Sequence, residues 1–202
     1  MKKIVLGSRS PRRKQLLEWA EVPFDIIVKE TSETYPAGLT VEEVAIYIAK
    51  QKAVAVAADL PDSIILTADT IVVLNDRIIG KPKNREEAIT ILRALSGNRH
   101  TVITGVCIMH KQKEICFADA TDVLFYQLSL QQIEFYVDKY KPFDKAGAYA
   151  IQGLASKFVE RIDGSYSNVV GLPVELVYKH LRITRGGADA PVRAGPPGPA
   201  LP

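Results

Sequence analysis

The sequence predicts an α/β protein built on a mixed sheet, and three observations point there. Short apolar runs alternate with amphipathic helical stretches through the first half of the chain. After Gly97 two β-rich runs flank a short charged turn. Hydrophobic residues make up 47% and charged residues 24% of the 202, which is the balance of a globular chain able to bury a core. That length suits one large domain or one domain of two lobes.

Ile4–Leu6 reads as a buried strand that breaks at Gly7. A first helix begins at Pro11, where a missing N–H costs nothing, with Ser10 as its N-cap. "FDIIV" (24–28) is a second strand and "ETSETYPAG" a polar loop. A long helix starts after Thr40, with Glu43 completing a capping box. "SIILTADTIVVLN" (63–75) is a strand pair or a bent strand, interrupted by Asp69 and Thr70. Asn84 caps "REEAITILRAL", with Glu87 three positions on. "HTVITGVCIMH" and "ICFADATDVLFYQ" form a hairpin, and Ser129 caps a helix to about Lys139. "FDKAGAYAIQG", "KFVERIDG" and "NVVGLP" read as glycine-punctuated loops and short strands, and Pro173 opens a last helix to about Leu181. Residues 1–182 form the domain. The Gly/Pro/Ala-rich tail at 183–202 carries almost nothing large to bury and reads as disordered or non-native.

A formal charge of +3 is too small to argue for nucleic acid, so any electropositive function rests on local clustering. Cys107 and Cys116 flank the "KQKE" turn; they are read as buried free thiols, which fits a reducing cytoplasm. The apolar run after "MKK" is too short for a signal segment or a membrane span.

"IVLGSRSPRR" concentrates hydroxyls and cations where a strand becomes a helix. The free N–H groups and positive dipole end there favour an anion by about 0.3–1 kcal/mol per charge. Ser8 and Ser10 offer hydroxyl donors, while Arg9, Arg12 and Arg13 offer forks suited to phosphate. Arginines in a first helical turn oppose the dipole unless an anion is bound. A solvated basic turn is the plainer reading of this stretch alone. Asp69 ends an apolar run, so its charge calls for a cation, a metal ion or a water to activate. Lys52, Lys81 and Lys145 complete the cations, the last two beside glycines that fix tight turns; Glu33 is a weaker candidate metal ligand. There is no Walker A pattern, no G-x-G-x-x-G, no Cys/His metal cluster and no well-placed histidine for a serine triad. Metal-assisted water attack on phosphorus fits these residues better than covalent catalysis.

With "SRSPRR", "TADT", "IGKP", "LSG", "DKAGAYAIQG" and "NVVGLP" in this order, the sequence resembles the Maf family over about residues 3–182. The family comprises house-cleaning nucleoside triphosphate pyrophosphatases linked to septum formation. The resemblance implies an elongated, two-lobed fold like that of inosine triphosphate pyrophosphatases (Maf/Ham1), with the site in the cleft between lobes. It implies a divalent metal, usually Mg2+ with Mn2+ as the alternative, and hydrolysis of a nucleoside triphosphate to monophosphate and pyrophosphate. By position, Asp69 is the proton acceptor, a metal ligand, or both, with Glu33 as a further ligand. Ser8, Ser10, Arg13, Lys52, Lys81 and Lys145 bind phosphate. The family also forms homodimers.

Arg12, Thr70 and Gln152 match the branch acting on dTTP and UTP rather than that acting on 7-methylguanosine triphosphate. The Gln152 amide pairs with the O4 acceptor and N3–H donor of thymine or uracil, although a flipped amide would serve cytosine equally. A pocket admitting the thymine methyl rejects uracil only weakly, since one methyl is worth about 1–3 kcal/mol. 5-Modified pyrimidines are expected to be accepted as well. Two other readings compete: the same reaction on a modified purine nucleotide, and a non-catalytic nucleotide-binding regulator of cell division.

Overall fold

The structure, a computed structural model, describes residues 4–184. The tail is therefore outside the described residues from position 185 on. Its elements in order are β1 (Ile4–Leu6), α1 (Pro11–Trp19), β2 (Phe24–Ile26), α2 (Val41–Ala57), β3 (Ile64–Leu74) and β4 (Arg77–Ile79). There follow α3 (Arg85–Leu95), β5 (Arg99–His110), β6 (Lys113–Phe125) and α4 (Leu130–Tyr140). Two 3-10 turns (Ala146–Ala148 and Gly153–Phe158), β7 (Val159–Asp163), α5 (Tyr166–Val170) and α6 (Val174–Thr184) complete the order. No described helix is long and apolar enough to cross a membrane.

Helix starts follow their caps. Ser10 accepts from the Arg13 N–H with Pro11 at the first position, and both Thr40–Glu43 and Ser129–Gln132 form reciprocal capping boxes. Asn84 accepts from the Glu87 N–H at 2.9 Å, but the Glu87 carboxylate reaches back to the Lys83 N–H rather than to the cap.

The sheet runs β2-β1-β3-β5-β6-β7, with β4 pairing only with β3. β1 lies parallel to β2 and β3; the other pairs are antiparallel. β3 is one continuous strand rather than a strand pair. What interrupts it is a change of neighbour. On one edge β1 covers residues 64–66 and β4 covers 72–74, while the other edge pairs with β5 from Ile65 to Val73. Among the described residues, 67–71 thus have no strand partner on the β1/β4 edge. β4 returns through Asn75 and Asp76, whose φ angles of 49° and 59° suit a tight hairpin turn. Two sequence readings shorten or change: β2 stops at Ile26, and "NVV" lies in α5 rather than in a strand or loop.

The period of two along β3 sorts its side chains onto two faces. Leu66, Ala68 and Val72 join the larger core with Leu17, Leu92, Val137 and Leu181 from the helices α1, α3, α4 and α6. Ile65 packs on the opposite face with Ala49, Ala53 and Cys107, and Ile71 packs there with Ala45. α2 covers this second face with Ala45, Ala49 and Ala53, spaced four apart and fully buried. Small side chains bring its axis close to the sheet. Gly105 on β5 completes the approach, because a Cβ there would lie 2.2 Å from the Ala45 carbonyl carbon.

Behind the other face, buried His100 shares a hydrogen bond of 2.8 Å with the Tyr149 hydroxyl and meets Phe125 edge-on. Burial depresses its pKa from the ordinary 6.5 to about 4.

Two outcomes are expected. Gly105→Ala, which drives a methyl into helix backbone, should cost about 1–3 kcal/mol or more of unfolding free energy in urea titration. For His100, the unfolded chain binds a proton between pH 6.5 and 4 that the folded protein refuses. Its stability is complete above that window and falls by about 3 kcal/mol across it. A folded His100→Asn variant should lose this part of the slope when stability is measured against pH.

Candidate active site

The open edge of β3 is the floor of a cleft of about 650 Å³, a volume suited to a small ligand. β1 stops at Leu6, and the chain turns away while Gly7 still bonds through its N–H to the Leu66 carbonyl at 2.9 Å. A Cβ on Gly7 would lie 2.7 Å from Thr67 Cγ2, so the turn needs glycine to leave the strand so closely. The next residues form the lip of the cleft and then the first turn of α1.

Asp69 points to the α2 face, in step with Thr67 and Ile71, and there it meets Lys52. Lys52 Nζ donates to Asp69 Oδ1 at 2.6 Å and to Glu33 Oε1 at 3.1 Å. Lys81 approaches the other Glu33 oxygen at 3.6 Å. The Lys52 and Asp69 side chains are 18% and 14% exposed, so the pair is shielded from bulk water, whereas Glu33 and Lys81 are half exposed. Burial alone would raise the Glu33 pKa, but Lys52 and Lys81 outweigh it and hold the carboxyl below its ordinary range. Across the cleft, Lys145 pairs with Asp144, and that pairing outweighs burial to lower the Asp144 pKa.

Thr70 points the other way, to Arg13. The Arg13 guanidinium donates through Nε to the Gly171 carbonyl at 2.7 Å, through Nη1 to Ser8 Oγ at 3.1 Å and through Nη2 to Thr70 Oγ1 at 2.9 Å. Burial pulls its pKa down, and the nearby Asp69 charge opposes the shift. Thr70 Oγ1 shares a hydrogen bond of 2.9 Å with Thr104 Oγ1 and reaches the Gly171 carbonyl at 3.5 Å, while Thr104 also reaches the Asn168 carbonyl at 3.1 Å. Ser8 accepts from the Ser10 N–H and from Arg13, and Ser10 accepts from the Arg13 N–H. Among the described residues neither serine's own proton has a protein acceptor, and both residues line the cleft.

Ser8, Ser10, Arg12, Arg13, Glu33, Lys52, Asp69, Thr70, Lys81 and Lys145 all line this one cleft. Gln152 does not. The wall ends at Ile151, one residue earlier. Several lining groups escaped the sequence reading. Tyr149 and Ile151 supply apolar wall and Tyr35 stands at the cleft with Glu33. Gly171 contributes a backbone carbonyl, which no side-chain pattern announces. Tyr149 was within reach, since it is the aromatic residue of the glycine-punctuated "DKAGAY" stretch.

No described group gathers three or more His, Cys, Asp or Glu side chains for a metal. Asp69 and Glu33 nevertheless already share one cation, the Lys52 ammonium. Two carboxylates that converge on one cation suit a hard ion that completes its shell with phosphate and water oxygens.

The sequence matches the family described as Maf-like protein over residues 3–184. A dTTP/UTP pyrophosphatase of Bacillus cereus is 48% identical over 182 residues, covering 90% of this chain and 95% of the relative. One of Bacillus cytotoxicus is 46% identical over 189 residues, covering 94% and 99%. Among solved structures, the Staphylococcus aureus Ham1 protein superposes with a TM-score of 0.51 at 16% identity, covering 91% of this chain and 100% of that one. That likeness shows the fold, a seven-stranded mixed sheet of Ham1 type. The match along the chain and the relatives at nearly half identity agree: this chain belongs to the Maf-like protein family.

Proposed function

We propose that the protein is a nucleoside triphosphate pyrophosphatase that hydrolyses dTTP and UTP to the monophosphate and pyrophosphate. The observation that carries this reading is the open edge of β3. It sets one shielded carboxylate, Asp69, in a cleft whose other polar groups are chiefly cations and hydroxyls. The near relatives named dTTP/UTP pyrophosphatase support the substrate.

In this reading the triphosphate lies against the first turn of α1, where backbone N–H groups and the Ser8 and Ser10 hydroxyls donate to it. Arg12, Lys81 and Lys145 neutralise its charge and stabilise departing pyrophosphate. Asp69 orients a water for in-line attack on the α-phosphorus and accepts its proton. Lys52 holds that carboxylate in place. Asp69 and Glu33 would hold a divalent cation, Mg2+ or Mn2+, which supplies charge neutralisation to the phosphates. Arg13 and Thr70 act together: Thr70 accepts from the Arg13 fork and is itself bonded to Thr104 and Gly171 within the protein, so it contributes by fixing that fork. Tyr149 and Ile151 offer the apolar surface for a pyrimidine ring, and Gln152, one residue beyond that wall, reads its O4 and N3–H edge.

Three results are expected. Pyrophosphate release measured with Mg2+ across dTTP, UTP, CTP, ATP, GTP and 7-methylguanosine triphosphate should be confined largely to the first two. Asp69→Asn should lower turnover by about 10²-fold or more with the fold intact by circular dichroism. Turnover of purines only would move the function to the modified-purine reading, and binding without turnover would make it a regulator. Arg13→Lys, which cannot reproduce the fork, should cost about 3 kcal/mol in chemical denaturation and lower turnover as well.

A further inference from the structure

The hairpin β5–β6 carries a second reactive arrangement, away from the cleft. Cys107 and Cys116 are direct cross-strand partners, and their Sγ atoms lie 2.6 Å apart. Opposed residues of an antiparallel pair have Cα atoms about 4.5–5.5 Å apart, inside the range that a disulfide spans. The two thiols differ in access. Cys107 is fully buried in the cluster beneath α2, with Ala49 and Ala53, whereas Cys116 is partly exposed. Cys116 also stands beside charge: its Sγ lies 3.5 Å from Glu114 Oε1, and that same oxygen pairs with Lys50 of α2 at 2.8 Å.

We propose that Cys107 and Cys116 are a peroxide-responsive dithiol, in which Cys116 is the attacking thiol and Cys107 the resolving one. Solvent access orders the steps, because an oxidant reaches Cys116 first. The Cys116 sulfur attacks one peroxide oxygen. The O–O bond breaks, and the departing hydroxide takes the Cys116 thiol proton to become water. Cys116 is left as a sulfenic acid. The Cys107 sulfur then attacks Cys116 Sγ, an S–S bond forms, and the sulfenic oxygen leaves as a second water with the Cys107 proton. Two thiols are oxidised by two electrons, and one peroxide is reduced to two waters. Its hydrogen bond with Cys116 and its burial keep Cys107 a thiol until that moment. The product staples the hairpin under α2 without changing its register, so turnover persists and the sheet resists unfolding more strongly.

Hydrogen peroxide itself is the probe, with intact-mass spectrometry as the readout. The reduced protein should lose about 2 Da, lose both alkylatable thiols, melt at a higher temperature and return to its starting mass with dithiothreitol. Cys107→Ser should instead leave a Cys116 sulfenic acid that dimedone traps, and Cys116→Ser should leave Cys107 unmodified. Dimedone trapping in the natural sequence to the same extent as in Cys107→Ser would overturn the proposal. So would sulfinic acid as the main product, or modification of Cys107 in Cys116→Ser. Because the readout is thiol chemistry, the result stands whether or not the pyrophosphatase reading does.

Discussion

A guanidinium drawn partly out of water must have its hydrogen bonds met, and in this protein that requirement ties three distant segments together. Arg13 stands at the start of α1, Thr70 in the middle of β3 and Gly171 at the turn between α5 and α6. Each supplies or receives a bond that water would otherwise provide, and leaving a charged donor buried and unpaired would be far costlier than any one of these bonds is worth. The fork therefore fixes how the lip of the cleft, its floor and its far side sit relative to one another. The polar chain behind it continues that constraint inward. Thr104 and the buried Asn168 carry hydrogen bonds from Thr70 through β5 to Thr121 of β6.

Two opposite charge problems are solved across the same cleft. Arginines in the first turn of α1 oppose the helix dipole, and that turn contains no acidic side chain to relieve them. Carboxylates on the other wall are met by lysines: Lys52 with Asp69 and Glu33, Lys81 with Glu33, Lys145 with Asp144. A polyphosphate that arrives with a cation relieves both at once, its oxygens answering the arginines and its metal answering the acids. The pairing of Lys52 with two carboxylates also keeps the acids from repelling one another while the cleft is empty of substrate.

Much of this was legible in the sequence because it rests on local chemistry. Ser10, Thr40 and Ser129 announce helix starts through capping, and each start falls where the pattern places it. The site cations and Asp69 stood out because charge beside glycine, proline or an apolar run is locally anomalous. What was not legible depends on pairing between distant segments. Asp69 and Thr70 looked like a break in a strand, since alternation alone does not tell which edge of a strand lacks a neighbour. The role of Gly105 was hidden for the same reason, its meaning being the nearness of α2. Gln152 illustrates the converse. Motif position marks it, yet the wall of the cleft ends at Ile151, so its reach to a base depends on backbone geometry that composition does not encode.

In the pyrophosphatase reading, placing Asp69 in mid-strand has a consequence for catalysis. A loop carboxylate moves with its loop, and a misplacement of an ångström at the reacting centre is costly. Asp69 is instead locked in register with Gly105 on one edge of β3 while the other edge lies open. Only a residue without a side chain at 105 lets α2 come down onto the sheet, and only that approach brings Lys52 within 2.6 Å of the carboxylate. The open edge leaves Asp69 facing the cleft, the paired edge gives rigidity, and the small-residue contact sets the position of the lysine. The apolar wall of the cleft has support of its own: Tyr149 and Ile151 are buried, and Tyr149 is held by His100 and Phe125. In the pyrophosphatase reading, discrimination between thymine and uracil is expected to be weak, since one methyl group carries only about 1–3 kcal/mol.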